Sequence, residues 1–450
     1  MTATTRTAER LWTGAHARVV LGIFSLAFLV AFESLAVATV MPLVADELDG
    51  LRLYALSFAA PIAVGVVSMT VAGPWMDRRG PGTGARVGVV LFVAGLVVAG
   101  SAPTMSAFLV GRAVQGLGMG FVSVSLYVII GKSFPEELRA RVFTVMTSAW
   151  VLPALIGPFV AGSIADAVGW RWVFLAVPVL AAAALGLIWQ ALDAIPGDPS
   201  VVIDRRRVLW AVLVAAGVLV MCAAGQRSLP WWPVLLVASL VVTVTVAPRL
   251  VPAGTWRGRR GLPSVVATRS LLSAGFFGAE TYVPLSLVQH RGLSVAQAGV
   301  LLTTAAVLWF GGSWMAANVG ALASKVLRVR LGSLCVLIGI GSGFLTLAEV
   351  VPTVVVAVVW AVGGFGMGLA ASTLGVLLLD HSAPGRQGVN SAGMQTSDSV
   401  SESVVLAIGS VAFAAVLEVD ERVAYEVVFG LAAIVGMLAV VVSGRVEARR

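Results

Sequence analysis

Two carboxylates stand alone in the middle of long apolar runs. Glu33 lies in Val30-Ala31-Phe32-Glu33-Ser34-Leu35-Ala36-Val37, and Glu280 in Phe276-Phe277-Gly278-Ala279-Glu280-Thr281-Tyr282. A charge at mid-membrane costs about 2.5–3.5 kcal/mol on insertion scales, and protonation removes much of that cost. Such a group can carry a proton or answer the charge of a cationic ligand; the plainer use is a structural salt bridge. Arg112 is the one basic residue well inside an apolar run. It either pairs with Glu33 or bonds backbone carbonyls of the helix that carries Glu33. A second acidic set, Gln395, Asp398 and Glu402, falls at i, i+3 and i+7 and so shares one helical face. That stripe either lines a cavity or packs against another helix. Gln115, Tyr127, Trp150, Phe277 and Tyr282 are the further candidates for contact with a ligand. Catalysis is not expected: no nucleophile–base pair, metal cluster or phosphate loop is evident. Cys222 and Cys335 both sit in apolar runs, so neither a disulfide nor a metal site is expected of them. No cofactor is implied; a proton gradient would supply the driving force.

These residues need a scaffold that composition already restricts. Of 450 residues, 59% are hydrophobic and 12% charged, about half the charge of an ordinary soluble domain. Several apolar runs exceed the roughly 20 residues that cross a bilayer as a helix, and only helices or closed barrels satisfy their backbone there. The alternating ten-residue segments of a barrel are missing. The predicted architecture is all-α, with fourteen spans near 18–43, 53–75, 86–102, 107–131, 140–166, 172–192, 208–225, 230–248, 264–288, 296–320, 329–348, 352–379, 390–417 and 423–444. No secretory signal is recognised at the N-terminus, because the first apolar run is too long and lacks a cleavage site.

Basic residues stay on the cytoplasmic side of membrane proteins. With the N-terminus placed there, 24 Arg and Lys fall in inside segments and 5 outside (Arg52, Arg171, Arg227, Arg291, Arg422). The asymmetry persists to the C-terminus, which favours an even number of spans with both termini in the cytoplasm. The net charge of +8 is thus mainly a topology signal. It is scattered over short loops, so nucleic acid is not an expected partner.

The chain also repeats itself. Gly116-Leu117-Gly118-Met119-Gly120-Phe121 in span four answers Gly364-Phe365-Gly366-Met367-Gly368-Leu369 in span twelve, 248 residues on, and both runs end at a proline turn, Pro135 and Pro384. Glu280 lies 247 residues beyond Glu33. Spans one and nine therefore correspond. The domain organisation read from this is a six-helix bundle over 1–192, a two-helix insertion with its flanking loops over 193–260, and a second six-helix bundle over 261–450.

Three motifs complete the reading. Gly73-Pro74-Trp75-Met76-Asp77-Arg78-Arg79-Gly80 forms the tight loop after span two. Arg112-Ala113-Val114-Gln115-Gly116-Leu117-Gly118 opens span four. Pro153-Ala154-Leu155-Ile156-Gly157-Pro158-Phe159-Val160-Ala161-Gly162 lies in span five. In this order they resemble motifs of the major facilitator superfamily, the third being associated with antiporters. Glu33-Ser34-Leu35-Ala36-Val37-Ala38-Thr39-Val40-Met41-Pro42 is similar to the first-span motif of its fourteen-span drug:proton antiporters, and Trp170 to Pro178 resembles that family as well. Glu33 stands where that family usually has Asp, Pro81 where it has a basic residue, and Pro153 where the antiporter motif starts with Gly. The second-half loop Gly320 to Lys325 lacks the Asp and Arg of the first.

The resemblance implies two pseudo-symmetric bundles in the plasma (inner) membrane, working as a monomer by alternating access. It implies proton-coupled export of hydrophobic or amphipathic small molecules. Glu33 and Glu280 would handle protons with support from Arg112. Gly73, Asp77, Arg78 and Gly80 would belong to a cytoplasmic gate, and Pro153, Gly157, Pro158 and Gly162 to a helix-packing motif. The alternatives are export of lipids or envelope glycolipids on the same fold, with Trp231 and Trp232 beside a lateral opening, and a receptor or scaffold without transport.

Overall fold

A computed structural model describes residues 14–134, 148–193, 204–225, 231–318, 324–382 and 387–447, with single residues at 138, 142, 145, 146 and 199. Among the described residues fourteen helices follow one another: α1 (Gly14–Glu47), α2 (Leu56–Arg79), α3 (Pro81–Gly100), α4 (Met105–Ser133), α5 (Val151–Val168), α6 (Arg171–Leu175, resumed as Val177–Asp193), α7 (Arg205–Gly225), α8 (Trp232–Val246), α9 (Leu262–Arg291), α10 (Val295–Asn318), α11 (Lys325–Thr346), α12 (Thr353–Asp380), α13 (Gln387–Leu417) and α14 (Glu421–Ser443). Twelve are long and apolar enough to cross a membrane, and shorter apolar helices at Ile156–Val168 and Arg171–Gly186 fall in the fifth and sixth spans. Among the described residues there is no β-strand. Pro135, Pro384, the loop Gly320–Ala323, most of span five before 148, and Arg6, Arg10, Arg139, Arg141, Arg227, Arg386, Arg449 and Arg450 lie outside the described residues.

Local chemistry sets the ends of these helices. Thr104 Oγ1 accepts from the Ala107 amide (3.2 Å), Ser324 Oγ from Leu327 (3.1 Å) and Asp420 Oδ1 from Val423 (3.1 Å), each satisfying an amide that a first turn would leave open. Pro81 opens α3 directly after Gly80, whose φ is 85°. The break in α6 falls at Ala176, two residues before Pro178, where the missing N–H and the ring interrupt the ladder.

The chain divides into two compact units, Met1–Val40 with Val64–Val208, and Met41–Ala63 with Leu209–Arg450. In the first, α3 packs along α4 and against α6. In the second, α12 packs between α10 and α11, and α9 packs against α13, α14, α11 and α12. The repeated glycines make both sets of contacts possible. A Cβ on Gly118 would stand 2.2 Å from the Phe92 nitrogen of α3, and one on Gly120 2.7 Å from the Gly65 oxygen of α2. A Cβ on Gly366 would stand 2.4 Å from the Gly332 oxygen of α11, and one on Gly368 2.0 Å from the Trp309 oxygen of α10. Helices in lipid gain their association from such close approach. The two glycine triplets thus pack α4 onto α3 and α2, and α12 onto α11 and α10, in the same way.

Candidate functional site

The site begins on α1, where Phe24, Phe28 and Phe32 stack at one-turn spacing, with ring centroids 6.2 and 6.4 Å apart. Glu33 follows that ladder and is only 2% exposed. From α4, Arg112 Nη1 forms an ion pair with Glu33 Oε1 and also donates to Gln115 Oε1 at 2.5 Å. The structure thus selects the first of Arg112's two expected roles. Arg112 and Gln115 are one helical turn apart, so both reach the same neighbour. α3 backs them closely: a Cβ on Gly95 would lie 2.3 Å from the Gln115 nitrogen. α5 completes the surround, with Gly157 facing Phe32 and Leu35 of α1. Pro153, Pro158 and Gly162 are buried with it. Among the described residues, Glu33 Oε2 and Gln115 Nε2 are buried with no hydrogen-bond partner. The node therefore holds one ion pair, a spare carboxylate oxygen and a spare amide donor.

In the second unit the acids are arranged differently. Arg269 Nε of α9 lies 3.3 Å from Asp398 Oδ2 of α13, and Ser270 Oγ lies 2.9 Å from both Asp398 Oδ1 and Ser397 Oγ. Glu402, one turn beyond Asp398, is within electrostatic reach of Asp398, Arg269 and Glu280. Asp398 and Glu402 lie on α13 and Glu280 on α9, two helices that pack against each other. Arg269 is the residue that sequence reasoning misplaced. It was counted with the basic residues of the inside loops, yet it lies two turns into α9 with its side chain 25% exposed. Arg112 is therefore not the only arginine paired within a span. The signal available was its position inside the predicted run 264–288, together with an acidic stripe that needed a counter-charge. Ser270 carried no such signal.

The aromatic candidates separate. Tyr282 is 1% exposed and belongs to a packed cluster, its ring 5.9 Å from Tyr54 and 5.0 Å from Phe413. Phe277 is half-buried, 5.6 Å from Phe276 and 6.3 Å from Trp309. Tyr127 and Trp150 are exposed, at 41% and 46%. Gln395 is half-buried on α13. The expected loop over residues 73–80 is instead the last turns of α2, which runs to Arg79; there Met76 is fully buried with Ala72 and Phe121, while Asp77 and Arg78 are exposed. Gly73 has open space around it, and Gly80 is buried in its left-handed turn.

Comparison with known proteins gives this geometry a family. The chain is similar to the multidrug efflux pump SdrM of Staphylococcus aureus (strain N315), 23% identical over 81% of this chain and 82% of that protein. It is similar to the probable multidrug-efflux transporter Rv1634 of Mycobacterium tuberculosis (strain H37Rv), 28% identical over 77% and 76%. It also matches the multidrug transporter protein MdtP of Bacillus subtilis (strain 168), 23% identical over 63% of this chain but only 54% of that longer protein. Among solved structures, a POT family transporter in complex with 5-aminolevulinic acid superposes with a TM-score of 0.69 at 12% identity, covering 96% of both chains. That likeness speaks to fold alone. The family model described as Major Facilitator Superfamily matches residues 23–406. With fourteen apolar helices, two units built on the same glycine packing and a buried ion pair in the first, the chain is a multi-pass membrane transporter that belongs to the Major Facilitator Superfamily.

Proposed function

We propose that the chain is a proton-coupled antiporter that exports hydrophobic or amphipathic small molecules across the plasma membrane by alternating access. The observation that carries this reading is the Glu33–Arg112–Gln115 node, buried with one carboxylate oxygen unpartnered. A bridge built only for stability would satisfy both oxygens, because an unpaired buried polar atom costs about 1–3 kcal/mol. Glu33 instead keeps a free position where a proton can bind. Protonation at Oε2 neutralises the carboxylate and weakens its hold on Arg112. Loss of that proton restores the pair. Relatives named as multidrug efflux proteins support the direction of transport and the breadth of substrate. Glu280 and Glu402 would add a second set of acids that a cationic substrate or a proton could occupy.

The test uses purified protein in vesicles under an imposed pH gradient, with uptake of a fluorescent amphipathic dye as readout. The parent accumulates dye only with the gradient. Glu33→Gln keeps the carboxamide in place and removes the titrating group, and it is expected to lower gradient-driven accumulation at least tenfold. Accumulation equal to the parent would end the proton role of Glu33. Transport that requires long acyl chains on the substrate would move the reading to lipid export.

A further inference from the structure

The segment between α8 and α9 is a built structure, although sequence reasoning treats it as a basic loop. A 3-10 turn at Ala247–Arg249 is followed by another at Thr255–Arg257. Gly254 (φ 90°), Gly258 (φ 54°) and Gly261 (φ 83°) bend the chain through left-handed conformations that a side chain would resist. The Gly254 carbonyl accepts from the amides of both Arg257 (3.1 Å) and Arg259 (3.3 Å), which folds these two residues back over the same turn. Thr255 is buried and donates to the Pro252 carbonyl at 2.7 Å. The stem of Arg259 runs across Gly254, its Cδ 3.0 Å from where a Cβ would stand. Beyond α14, the Arg445 carbonyl accepts from the Gly261 amide (3.1 Å) and from Ser264 Oγ (2.6 Å), which ties the segment down.

The result is a cleft of about 220 Å³ lined by Pro248, Pro252, Gly254, Trp256, Arg257 and Arg259. One water needs only about 10–15 Å³ of such space. No lining residue is acidic. Among the described residues no carboxylate pairs with Arg257, Arg259 or Arg260, whereas Lys325 pairs with Asp380 and Arg269 with Asp398. Arg445 adds a further cation beside Gly258. Trp256 is 49% exposed at the rim, as an indole at a membrane interface would be. Topology alone asks for positive charge in this loop, but not for a cleft with two arginines on its wall.

We infer that this cleft binds a phosphate-bearing anion, supplied by the headgroup of an anionic phospholipid. Guanidinium groups form forked hydrogen bonds to phosphate oxygens, and basic pockets beside membrane helices on the cytoplasmic side hold such headgroups. The lipid occupies the cleft while the protein sits in its membrane, with Trp256 against the acyl–headgroup boundary.

Native mass spectrometry of the detergent-purified full chain tests this with two probes, phosphatidylglycerol and phosphatidylcholine of the same chain length. The parent is expected to retain phosphatidylglycerol at least fivefold over phosphatidylcholine, and the preference to fall with added salt. Arg257→Gln with Arg259→Gln should remove it. Arg206→Gln with Arg207→Gln, which takes the same charge from the start of α7, should leave it intact. Equal loss in both double variants, or no loss in the first, would overturn the site. Thermal unfolding with inorganic phosphate separates the sources. Phosphatidylglycerol is expected to raise the parent's melting temperature and millimolar phosphate is not. Equal protection by phosphate, lost in Arg257→Gln with Arg259→Gln, would overturn the lipid as its source.

Discussion

The two units share a scaffold and differ in what they place on it. Shifted by 248 residues, the glycines of α4 become those of α12, and each triplet brings its helix into backbone contact with the two before it. The same shift carries Arg112 onto Trp360 and Gln115 onto Gly363. Trp360 is fully buried and stacks on Phe276 at 4.6 Å and 13°. Where the first unit holds an ion pair and an amide, the second holds an aromatic stack. Its own arginine has moved to α9, and the acid that answers it, Asp398, corresponds to Trp150 of the first unit. Backbone packing is retained across the repeat while charge is free to migrate, because the glycines meet backbone atoms and the polar groups meet only side chains. Glu33 and Glu280 are thus equivalent by position and unlike in company.

The largest effects should fall on what the units have in common. Gly118→Val and Gly366→Val each push a branched side chain into neighbouring backbone, and both are expected to abolish monodisperse protein on size-exclusion chromatography. If Gly366→Val purified normally, the packing equivalence would fail. Next come the features that differ. Arg112→Ala leaves Glu33 buried without its cation, a loss of about 3–5 kcal/mol, read as a fall in thermal unfolding temperature. Glu33→Gln in the same chain should restore most of it. Glu280→Gln, which removes no ion pair among the described residues, should change stability by less than about 1 kcal/mol. An effect there as large as that of Arg112→Ala would mean that the two carboxylates are held alike. The smallest is Asp398→Asn. Arg269 is a quarter exposed, so solvent screens much of the lost interaction. A cost of about 1 kcal/mol is expected, with Ser270 still able to bond the carboxamide.

Much of this was legible from residue types alone. Fourteen apolar runs became fourteen helices, because in lipid a long apolar segment has few other ways to satisfy its backbone. Helix ends were less legible. α9 runs to Arg291, beyond its apolar run, and closes on Gly292 in a left-handed C-cap. The break at Ala176 was encoded in Pro178 and passed over within an otherwise continuous run. The Glu33–Arg112 pair was foreseeable because two isolated opposite charges in apolar surroundings have few alternatives. Arg269 was obscured by the counting of sides, which assigns an arginine near a helix start to the loop. Tyr282 was read as a ligand contact, but its ring is enclosed by Tyr54 and Phe413. Sequence spacing gives the face of a helix and not what stands opposite it.

One nitrogen of Arg112 serves two acceptors, Glu33 Oε1 and Gln115 Oε1. If the proposed proton exchange neutralises the carboxylate, the amide one turn along still offers the guanidinium an acceptor. Under the proposed proton exchange, Gln115 would act as custodian for the cation while its acid is neutral. Exchanging it for leucine would take one of the two acceptors from Arg112 Nη1 and leave the Glu33 carboxylate as the other.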